Sequence, residues 1–323
     1  MEKRKIRWGI IGLGKIAHKF ATDLATLENT ELVAVASRNQ QNADKFAQKY
    51  EVKKAYNSYV ALAKDANVDA VYIATPHSFH KEHSILCLQH KKAVLCEKPF
   101  AMNLQEVTEM ITVAKENKVL LMEALWTFFL PHFNYVLEIV KNEKFGKLKS
   151  LEADFGFRPV YDENSRVFKK EVGGGSLLDI GIYPIFAALS ALGVPEKIDA
   201  KASFFETGAD SDCNIIFHYK GAIASLKSSL LEETKTEAIY TFDTAIVKMN
   251  TQFHAPSTIT IIQGKHEEII DFGYKTIGYD FEAAHFNQLL REDKKESDVM
   301  TFEFSKNLIH TLDSVRNIIG LEY

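Results

Sequence analysis

The sequence predicts an α/β protein in which a doubly wound parallel sheet is followed by a second domain of mixed α+β character. Up to residue 124, short apolar runs alternate with amphipathic helical segments. Such continuous apolar runs are typical of parallel strands, because helices cover both faces of a parallel sheet. From residue 148 onward several strand-like segments follow one another without helices between them. This second pattern indicates an antiparallel or mixed sheet.

The length of the chain favours two domains. With 323 residues the chain exceeds the size of one ordinary hydrophobic core. The change of pattern places the boundary after residue 124, which gives a first domain over 1–124 and a second over 125–323. The 46% hydrophobic and 25% charged residues are those of an ordinary globular protein and exclude a disordered or fibrous chain.

Three features of the sequence indicate which partners and which compartment to expect: the net charge, the cysteines and the N-terminal residues. The formal net charge of −4 gives no overall attraction to nucleic acid or to an anionic membrane. Three cysteines cannot all pair, and their spacing matches no zinc motif. The charged N-terminus lacks the apolar core of a signal peptide, and the apolar stretch from Val119 to Phe133 is too short to span a bilayer. We therefore expect a cytoplasmic protein with no membrane or nucleic-acid partner.

In the first domain, strands and helices are expected to alternate. The predicted strands are Ile6 to Ile11, Leu32 to Ala36, Ala70 to Thr75, Ala93 to Cys96 and Val119 to Ala124. The predicted helices are Lys15 to Leu27, Gln41 to Tyr50, Phe79 to His90 and Leu104 to Lys115.

The second domain is predicted to be rich in strands. The predicted strands are Leu148 to Arg158, Ile198 to Glu206, Cys213 to Tyr219, Ala222 to Leu230, Thr236 to Met249 and Ser257 to Ile262. A glycine loop leads into a helix from about Ser176, and two helices close the chain near Asp280 to Arg291 and Ser305 to Ile319. Tyr219-Lys220-Gly221 fits a turn between two of the strands.

A glycine motif stands between the first strand and the first helix. Gly12, Gly14 and Ala17 form Gly-x-Gly-x-x-Ala. Gly12 permits a tight turn, Gly14 lets the backbone approach a pyrophosphate, and Ala17 allows close packing of helix on strand. Lys15 and Ile16 open the helix, whose N-terminus attracts an anion. Since the strand and the helix lie where the motif requires them, we predict a dinucleotide-binding Rossmann domain.

The end of the second strand indicates which dinucleotide binds. NAD enzymes usually carry a carboxylate there, which bonds the ribose 2′-hydroxyl. This chain has Ser37 and Arg38 instead. A hydroxyl and a guanidinium can hold a 2′-phosphate that a carboxylate would repel. NADP(H) is therefore preferred, with NAD(H) possible if Arg38 only stacks on the adenine.

Further motifs resemble those of the Gfo/Idh/MocA (glucose–fructose oxidoreductase) family. The most specific is Glu97-Lys98-Pro99 at the end of a Rossmann strand. The others are Ala74 to His80, Met122 to Thr127, Gly173 to Pro184 and Phe281 to Phe286. The pattern is most similar to the branch of dimeric dihydrodiol dehydrogenases and NADP-dependent D-xylose dehydrogenases, and the resemblance covers essentially the whole chain.

The resemblance has implications for fold and site. It implies an open, mostly antiparallel sheet in the second domain, used for association into a homodimer or higher homo-oligomer. It implies a cis Lys98–Pro99 bond, and Lys98 and Tyr183 facing a carbohydrate-like substrate beside the nicotinamide. It also implies that the segments with Thr75, Pro76, His80 and Glu97 contact the cofactor.

Carbonyl reduction by hydride needs a proton donor and stabilisation of a developing alkoxide. Tyr183 supplies a hydroxyl whose free pKa is about 10. A nearby lysine would lower this pKa. We expect Tyr183 to be the general acid/base with Lys98 as its electrostatic partner, although the reverse assignment is open. Asp179 precedes Tyr183 by one helical turn and would position Lys98 or bind substrate hydroxyls. Pro184 is expected to kink this helix.

Other interpretations of the same residues remain open. Trp126 is expected to line the substrate site, although aromatic residues where the chain passes from one domain to the next belong as often to the hydrophobic core. His77, His80, His83 and Cys87 could suggest a metal, but their spacing is not diagnostic and no metal is expected.

The predicted function is an NADP(H)-dependent oxidoreductase acting on a hydroxyl/carbonyl pair of a sugar, polyol or cyclic diol. The alternatives are an NAD-linked inositol- or glucose-type dehydrogenase and a non-catalytic cofactor-bound regulator. A regulator has no need of both Lys98 and Tyr183, which this chain retains together.

Overall fold

The computed structural model describes residues Arg4 to Tyr323 and divides into two compact units. The first unit runs to Phe128 and includes Lys275–Lys306. The second unit comprises Phe129–Tyr274 and Asn307–Tyr323. Because the first unit also includes 275–306, the division of the chain into domains 1–124 and 125–323 stays a prediction.

Buried polar contacts explain why the later segment belongs to the first unit. The Asp23 carboxylate accepts hydrogen bonds from the main-chain N–H groups of Gly278 and Tyr279, both at 2.8 Å. The Trp8 indole N–H donates to the side chain of Asn287 at 3.0 Å, and its ring centroid lies 5.2 Å from that of Phe286. A sequence pattern does not reveal such pairings across more than 250 residues.

The first unit contains a six-stranded parallel sheet in the order β3-β2-β1-β4-β5-β6. Its strands are β1 Ile6–Ile11, β2 Thr30–Ala36, β3 Lys54–Tyr56, β4 Ala70–Ile73, β5 Ala93–Glu97 and β6 Leu121–Ala124. Its helices are α1 Lys15–Leu24, α2 Gln40–Tyr50, α3 Tyr59–Lys64, α4 His80–Gln89, α5 Leu104–Asn117 and α8 Tyr279–Arg291. The doubly wound Rossmann prediction is confirmed.

The second unit contains an eight-stranded sheet in the order β14-β13-β12-β11-β7-β10-β9-β8. Its strands are β7 Leu148–Gly156, β8 Lys197–Phe204, β9 Asp210–Tyr219, β10 Ala222–Ser229, β11 Ala238–Phe242, β12 Ile246–Met249, β13 Ile259–Gln263 and β14 His266–Ile270. The pairing of β7 with β10 is parallel and the others are antiparallel. The predicted mostly antiparallel sheet is confirmed.

Helices α6 Pro131–Lys141 and α7 Ile182–Leu192 pack in this unit, with the Phe133 and Phe186 rings stacked at 4.8 Å. The last helix is α9 Phe302–Ile319. The segment Lys170–Leu192 is long and apolar enough to cross a membrane, but 78% of its most apolar window is buried inside the protein. This composition is that of a core helix.

Two local predictions need correction. The predicted strand Thr236 to Met249 is a hairpin of β11 and β12, closed by a 2.8 Å hydrogen bond from the Phe242 N–H to the Ala245 carbonyl. The predicted helix from Ser176 begins with a π-helical segment, Leu177–Gly181, before α7. Pro184 is the third residue of α7 and follows the π-helical segment closely; the kink expected at Pro184 stays a prediction.

Candidate active site

The glycine turn after β1 has the geometry of an anion cradle. Gly12 has φ +88°, and a Cβ there would lie 2.6 Å from the Ala74 carbonyl, so only glycine fits. A Cβ on Gly14, in contrast, would meet nothing within 4 Å. Among the described residues no side chain caps α1, whose first turn contains Lys15 and Ile16 and carries no acidic residue. The N–H groups of this turn therefore suit a phosphate.

The end of β2 presents a cation at the same edge of the sheet. Arg38 follows this strand, and its guanidinium carbon lies 5.9 Å from the centroid of the Phe79 ring. Ser37 accepts a 3.3 Å hydrogen bond from the Asn39 N–H. A guanidinium and a hydroxyl on neighbouring residues can hold the 2′-phosphate of NADP, and this role of Ser37 and Arg38 stays a prediction.

Thr75 and Pro76 follow β4, directly beside the glycine turn. A Cβ on Gly12 would lie 2.7 Å from the Thr75 nitrogen. The ring nitrogens of His80 contact the carbonyl oxygens of Thr75 and Pro99, each at 2.8 Å, and the ring is fully buried. Both ring nitrogens of His80 therefore contact main-chain carbonyl oxygens. The predicted contact of His80 with a cofactor would have to be indirect.

Lys98 follows β5, and the Lys98–Pro99 bond is cis, as the resemblance implied. The preceding Glu97 is buried, and its carboxylate accepts hydrogen bonds from the Tyr72 hydroxyl and, at 3.1 Å, from the Lys98 N–H. Burial, reinforced by the Glu97 charge, raises the pKa of Tyr72 well above its usual value. The main chain of Lys98 is therefore anchored on a buried carboxylate.

Two more acidic side chains surround this anchor. Glu282 on α8 is fully buried, and burial followed by the charge of Glu97 raises its pKa well above the usual range. Burial also raises the pKa of Glu123 to about 7. The hydrogen bond from the Phe100 N–H and the charge of Lys98 act in the opposite direction and lower this pKa. Both carboxyls are best described as carrying their protons in the folded protein at slightly acidic pH.

In the second unit, Asp179 and Tyr183 come from the π-helical segment and from α7. Asp179 Oδ1 lies 3.0 Å from Nη2 of Arg166, an ion pair that holds the carboxylate in place. Tyr183 is 6% exposed, and its ring centroid lies 5.8 Å from that of Phe155 and 4.8 Å from that of His254. The simple one-turn spacing does not describe the pair, because a π-helical turn is wider than an α-helical one.

Two further residues, which were not predicted from the sequence, lie beside this segment. His254, in the loop between β12 and β13, stacks on Phe155 with centroids 4.3 Å apart and contacts the Tyr183 ring. Asp210, at the start of β9, accepts 2.7 Å hydrogen bonds from the Ser176 hydroxyl and the Leu177 N–H. Neither residue belongs to a motif, and only tertiary pairing brings them here.

Other predicted residues have defined neighbours. Trp126 is 6% exposed and stacks on Tyr279 at 4.4 Å with an interplanar angle of 8°. His83 Nδ1 lies 3.1 Å from the Thr75 hydroxyl oxygen, and burial raises the pKa of the Cys87 thiol to about 12. The substrate role of Trp126 stays a prediction.

Within the first unit the structure brings together the glycine turn, Thr75 and the Lys98 turn. Within the second it brings together Asp179, Arg166, Tyr183 and His254. The pairing of Lys98 with Tyr183 stays a prediction from the sequence.

Comparisons with known proteins agree with this description. Residues 6–125 match the family model described as the GFO_IDH_MocA oxidoreductase family with an NAD-binding Rossmann fold, and residues 133–248 match the GFO/IDH/MocA C-terminal domain. Trans-1,2-dihydrobenzene-1,2-diol dehydrogenases are similar over 98% of this chain. The protein of Xenopus tropicalis is 34% identical over 99% of its own length, and that of Homo sapiens is 34% identical over 98%.

Solved structures show the same architecture. A 3-ketoreductase from Actinomadura kijaniata in complex with NADP and TDP-benzene is 26% identical, with a TM-score of 0.88 and 98% of both chains covered. An aldose-aldose oxidoreductase from Caulobacter crescentus, complexed with glycerol, has a TM-score of 0.89 at 20% identity, covering 98% of this chain and 97% of its own. The second likeness concerns the fold alone.

Proposed function

Because this chain belongs to the GFO/IDH/MocA family of oxidoreductases, we propose that it is an NADP(H)-dependent dehydrogenase or reductase of a sugar, polyol or cyclic diol. The observation that carries the cofactor assignment is the open space at Gly14, at the uncapped start of α1, with Arg38 where NAD enzymes usually carry a carboxylate. The names of the similar dehydrogenases and of the NADP-bound 3-ketoreductase support the substrate class.

Several residues of the first unit would hold the cofactor. The N–H groups of Lys15 and Ile16 would bind the pyrophosphate, and Ser37 with Arg38 would hold the 2′-phosphate. Thr75, Pro76 and Glu97 shape the turns at the carboxyl ends of β4 and β5, where ligands of such sheets bind. When bound, the nicotinamide ring supplies or accepts the hydride.

The protein's own residues handle the proton. In the oxidation direction, the Tyr183 phenolate takes the proton of the substrate hydroxyl as the C–H bond gives up its hydride to the cofactor, and in reduction the Tyr183 phenol returns that proton. The Lys98 ammonium stabilises the charge that develops on the substrate oxygen and on the phenol. Asp179, held by Arg166, accepts hydrogen bonds from neighbouring substrate hydroxyls, and Trp126 supplies flat apolar surface for the sugar or diol ring.

We further propose that the protein is a homodimer that associates through the open face of the eight-stranded sheet. Ile216, Ile223 and Ile246 are 40%, 39% and 37% exposed and lie on this face, on strands β9, β10 and β12. The same face carries Glu152 and Lys248, so charges of both signs surround the apolar residues. Ile216→Lys should give monomers by light scattering, whereas Val194→Lys, on an exposed turn, should not.

The cytoplasm is the proposed location. Cys87, Cys96 and Cys213 are buried free thiols, which suits a reducing compartment.

The proposed function is tested by a dehydrogenase screen over aldoses, polyols and trans-dihydrodiols, with NADP and NAD separately. We expect turnover with NADP. Tyr183→Phe and Lys98→Met should each lower kcat by at least about 100-fold. Tyr135→Phe and Lys118→Met serve as matched controls. Full turnover in both site variants would refute the catalytic assignment, and absence of NADPH binding by the wild-type protein would refute the enzyme assignment.

A further inference from the structure

His80 connects two turns that the proposed reaction needs. It is the first residue of α4, it is fully buried, and its Nδ1 and Nε2 atoms lie 2.8 Å from the carbonyl oxygens of Pro99 and Thr75. Thr75 follows β4 and Pro99 follows β5, and these strands are neighbours in the sheet, with Ile73 opposite Cys96. One ring therefore spans the two strand ends.

Each turn carries a part of the candidate site. The Thr75 turn packs directly against the glycine turn, since a Cβ on Gly12 would lie 2.7 Å from the Thr75 nitrogen. The Pro99 turn carries Lys98, whose main-chain N–H is bonded to Glu97. The His80 ring thus fixes the distance between the backbone that would hold the dinucleotide and the lysine that would act on the substrate.

A second histidine supports the same turn. His83, three residues further along α4, places its Nδ1 3.1 Å from the Thr75 hydroxyl. The ring of His83 stacks on Phe79 at 5.7 Å, and the Arg38 guanidinium lies over that same phenylalanine. Thr75 is therefore held through both its carbonyl and its hydroxyl from one helix.

The protonation state of His80 determines how many hydrogen bonds its ring donates to the two carbonyl oxygens. A carbonyl oxygen only accepts, so a neutral imidazole donates to one of its two carbonyl neighbours, and only the cation donates to both. Burial, with the nearby charges of His83 and Lys98, lowers the pKa of His80 to about 4 against the raising effect of the two carbonyls. A neutral ring therefore donates one hydrogen bond, and its second nitrogen, an acceptor facing a carbonyl acceptor, adds none.

We propose that His80 is a positioning residue, which sets Lys98 relative to the glycine turn without touching cofactor or substrate itself. The proposal rests on the proposed function, in which Lys98 acts beside the nicotinamide. It differs from a direct cofactor contact, for which His80 has no nitrogen left over.

A double-mutant cycle tests this role. His80→Phe keeps the ring but removes both nitrogens, and we expect it to lower kcat at saturating NADP by about 30-fold. If His80 acts through Lys98, the double variant with Lys98→Met should stay within about threefold of Lys98→Met alone, because coupled residues are not additive. Independent, multiplying losses would overturn the proposal. His80→Gln, which restores one donor, should recover part of kcat, and it replaces His80→Phe if that variant does not fold.

A second measurement uses the protein without cofactor. Hydrogen exchange of the peptide spanning 97–103 should be faster in His80→Phe than in the wild type. His285→Phe, which removes another histidine of this unit, should leave that peptide unchanged. Unchanged exchange in His80→Phe would overturn the proposal even if turnover falls. A wild-type protein that neither binds NADPH nor turns over would instead overturn the proposed function, while the exchange result still decides whether His80 braces the two turns.

Discussion

The carboxylate of Asp179 lies 3.0 Å from the guanidinium of Arg166, within the second unit. Asp179 lies in the π-helical segment Leu177–Gly181, directly before the buried helix α7 that carries Tyr183, the proposed proton donor. The ion pair holds the Asp179 carboxylate in one orientation, and the Arg166 guanidinium compensates its negative charge. Substrate hydroxyls can then bond to an acceptor whose direction is already set.

This ion pair gives the first prediction. Arg166→Met should lower kcat/KM for the preferred sugar or diol by about tenfold, because Asp179 loses both its compensating charge and its orientation. The guanidinium side chain is 37% exposed, so solvent screening limits the effect. Lys169→Met, in the same loop, is the control and should change kcat/KM less than about twofold. Equal losses in the two variants would contradict a specific role for Arg166.

Cofactor preference gives the second prediction. Arg38→Ala should weaken NADPH binding by about 100-fold and NADH binding by no more than about threefold, because only NADPH carries the 2′-phosphate. Fluorescence titration of both reduced nucleotides measures this directly. Lys53→Ala removes a surface charge from the same unit and serves as the control. A loss that is the same for both nucleotides would show that Arg38 contacts only the shared adenosine.

Stability at different pH values tests the buried Glu123. Its folded-state pKa of about 7 is raised above the ordinary 4.5, so the folded protein holds the proton more tightly than the unfolded chain. The free energy of unfolding therefore falls as the pH rises from about 4.5 to about 8, by about 3 kcal/mol for this group. Glu123→Gln, which still accepts from the Phe100 N–H, should lack this part of the decrease.

The measurement is denaturant unfolding of wild type and Glu123→Gln between pH 4.5 and pH 8. The variant should gain stability relative to wild type as the pH rises, and should differ little at pH 4.5. Glu116→Gln, at an exposed position of α5, should show no such trend. A constant difference between Glu123→Gln and wild type across this range would contradict the proposed protonation of Glu123.

The glycine loop before α7 supplies another prediction. Asp210 accepts hydrogen bonds from Ser176 and Leu177, and Gly175, with φ +120°, packs so closely on its carboxylate that a side chain would clash. Asp210→Ala should lower the free energy of unfolding by about 2–4 kcal/mol, because buried donors lose their acceptor. Asp212→Ala on the same strand should cost less than about 1 kcal/mol. A similar cost for both would contradict the anchoring role.

The fold could be predicted largely from local patterns. The apolar runs of β1, β4 and β5 and the glycine turn lie where the periodicity placed them, because strand pairing and helix covering impose these patterns directly. The turn at Lys220 and Gly221 joins β9 to β10 as predicted, and Gly221 has φ +85°.

The parts that the sequence did not predict depend on contacts between distant residues. The return of 275–306 to the first unit rests on Asp23 and Trp8, which carry no periodic signal. His254 and Asp210 reach the Tyr183 segment only through the pairing of the sheet. The motif around His80 was visible, but its bonds to two carbonyls could not be predicted from spacing.

The central claim is that a dinucleotide lies across the glycine turn at the start of α1. Gly14→Ala tests it most directly, because a Cβ there has open space in the protein but would occupy the place of the cofactor. We predict an unchanged free energy of unfolding, within about 0.5 kcal/mol, together with NADPH binding at least about tenfold weaker by fluorescence titration. Unaltered NADPH affinity in this folded variant would contradict the claim.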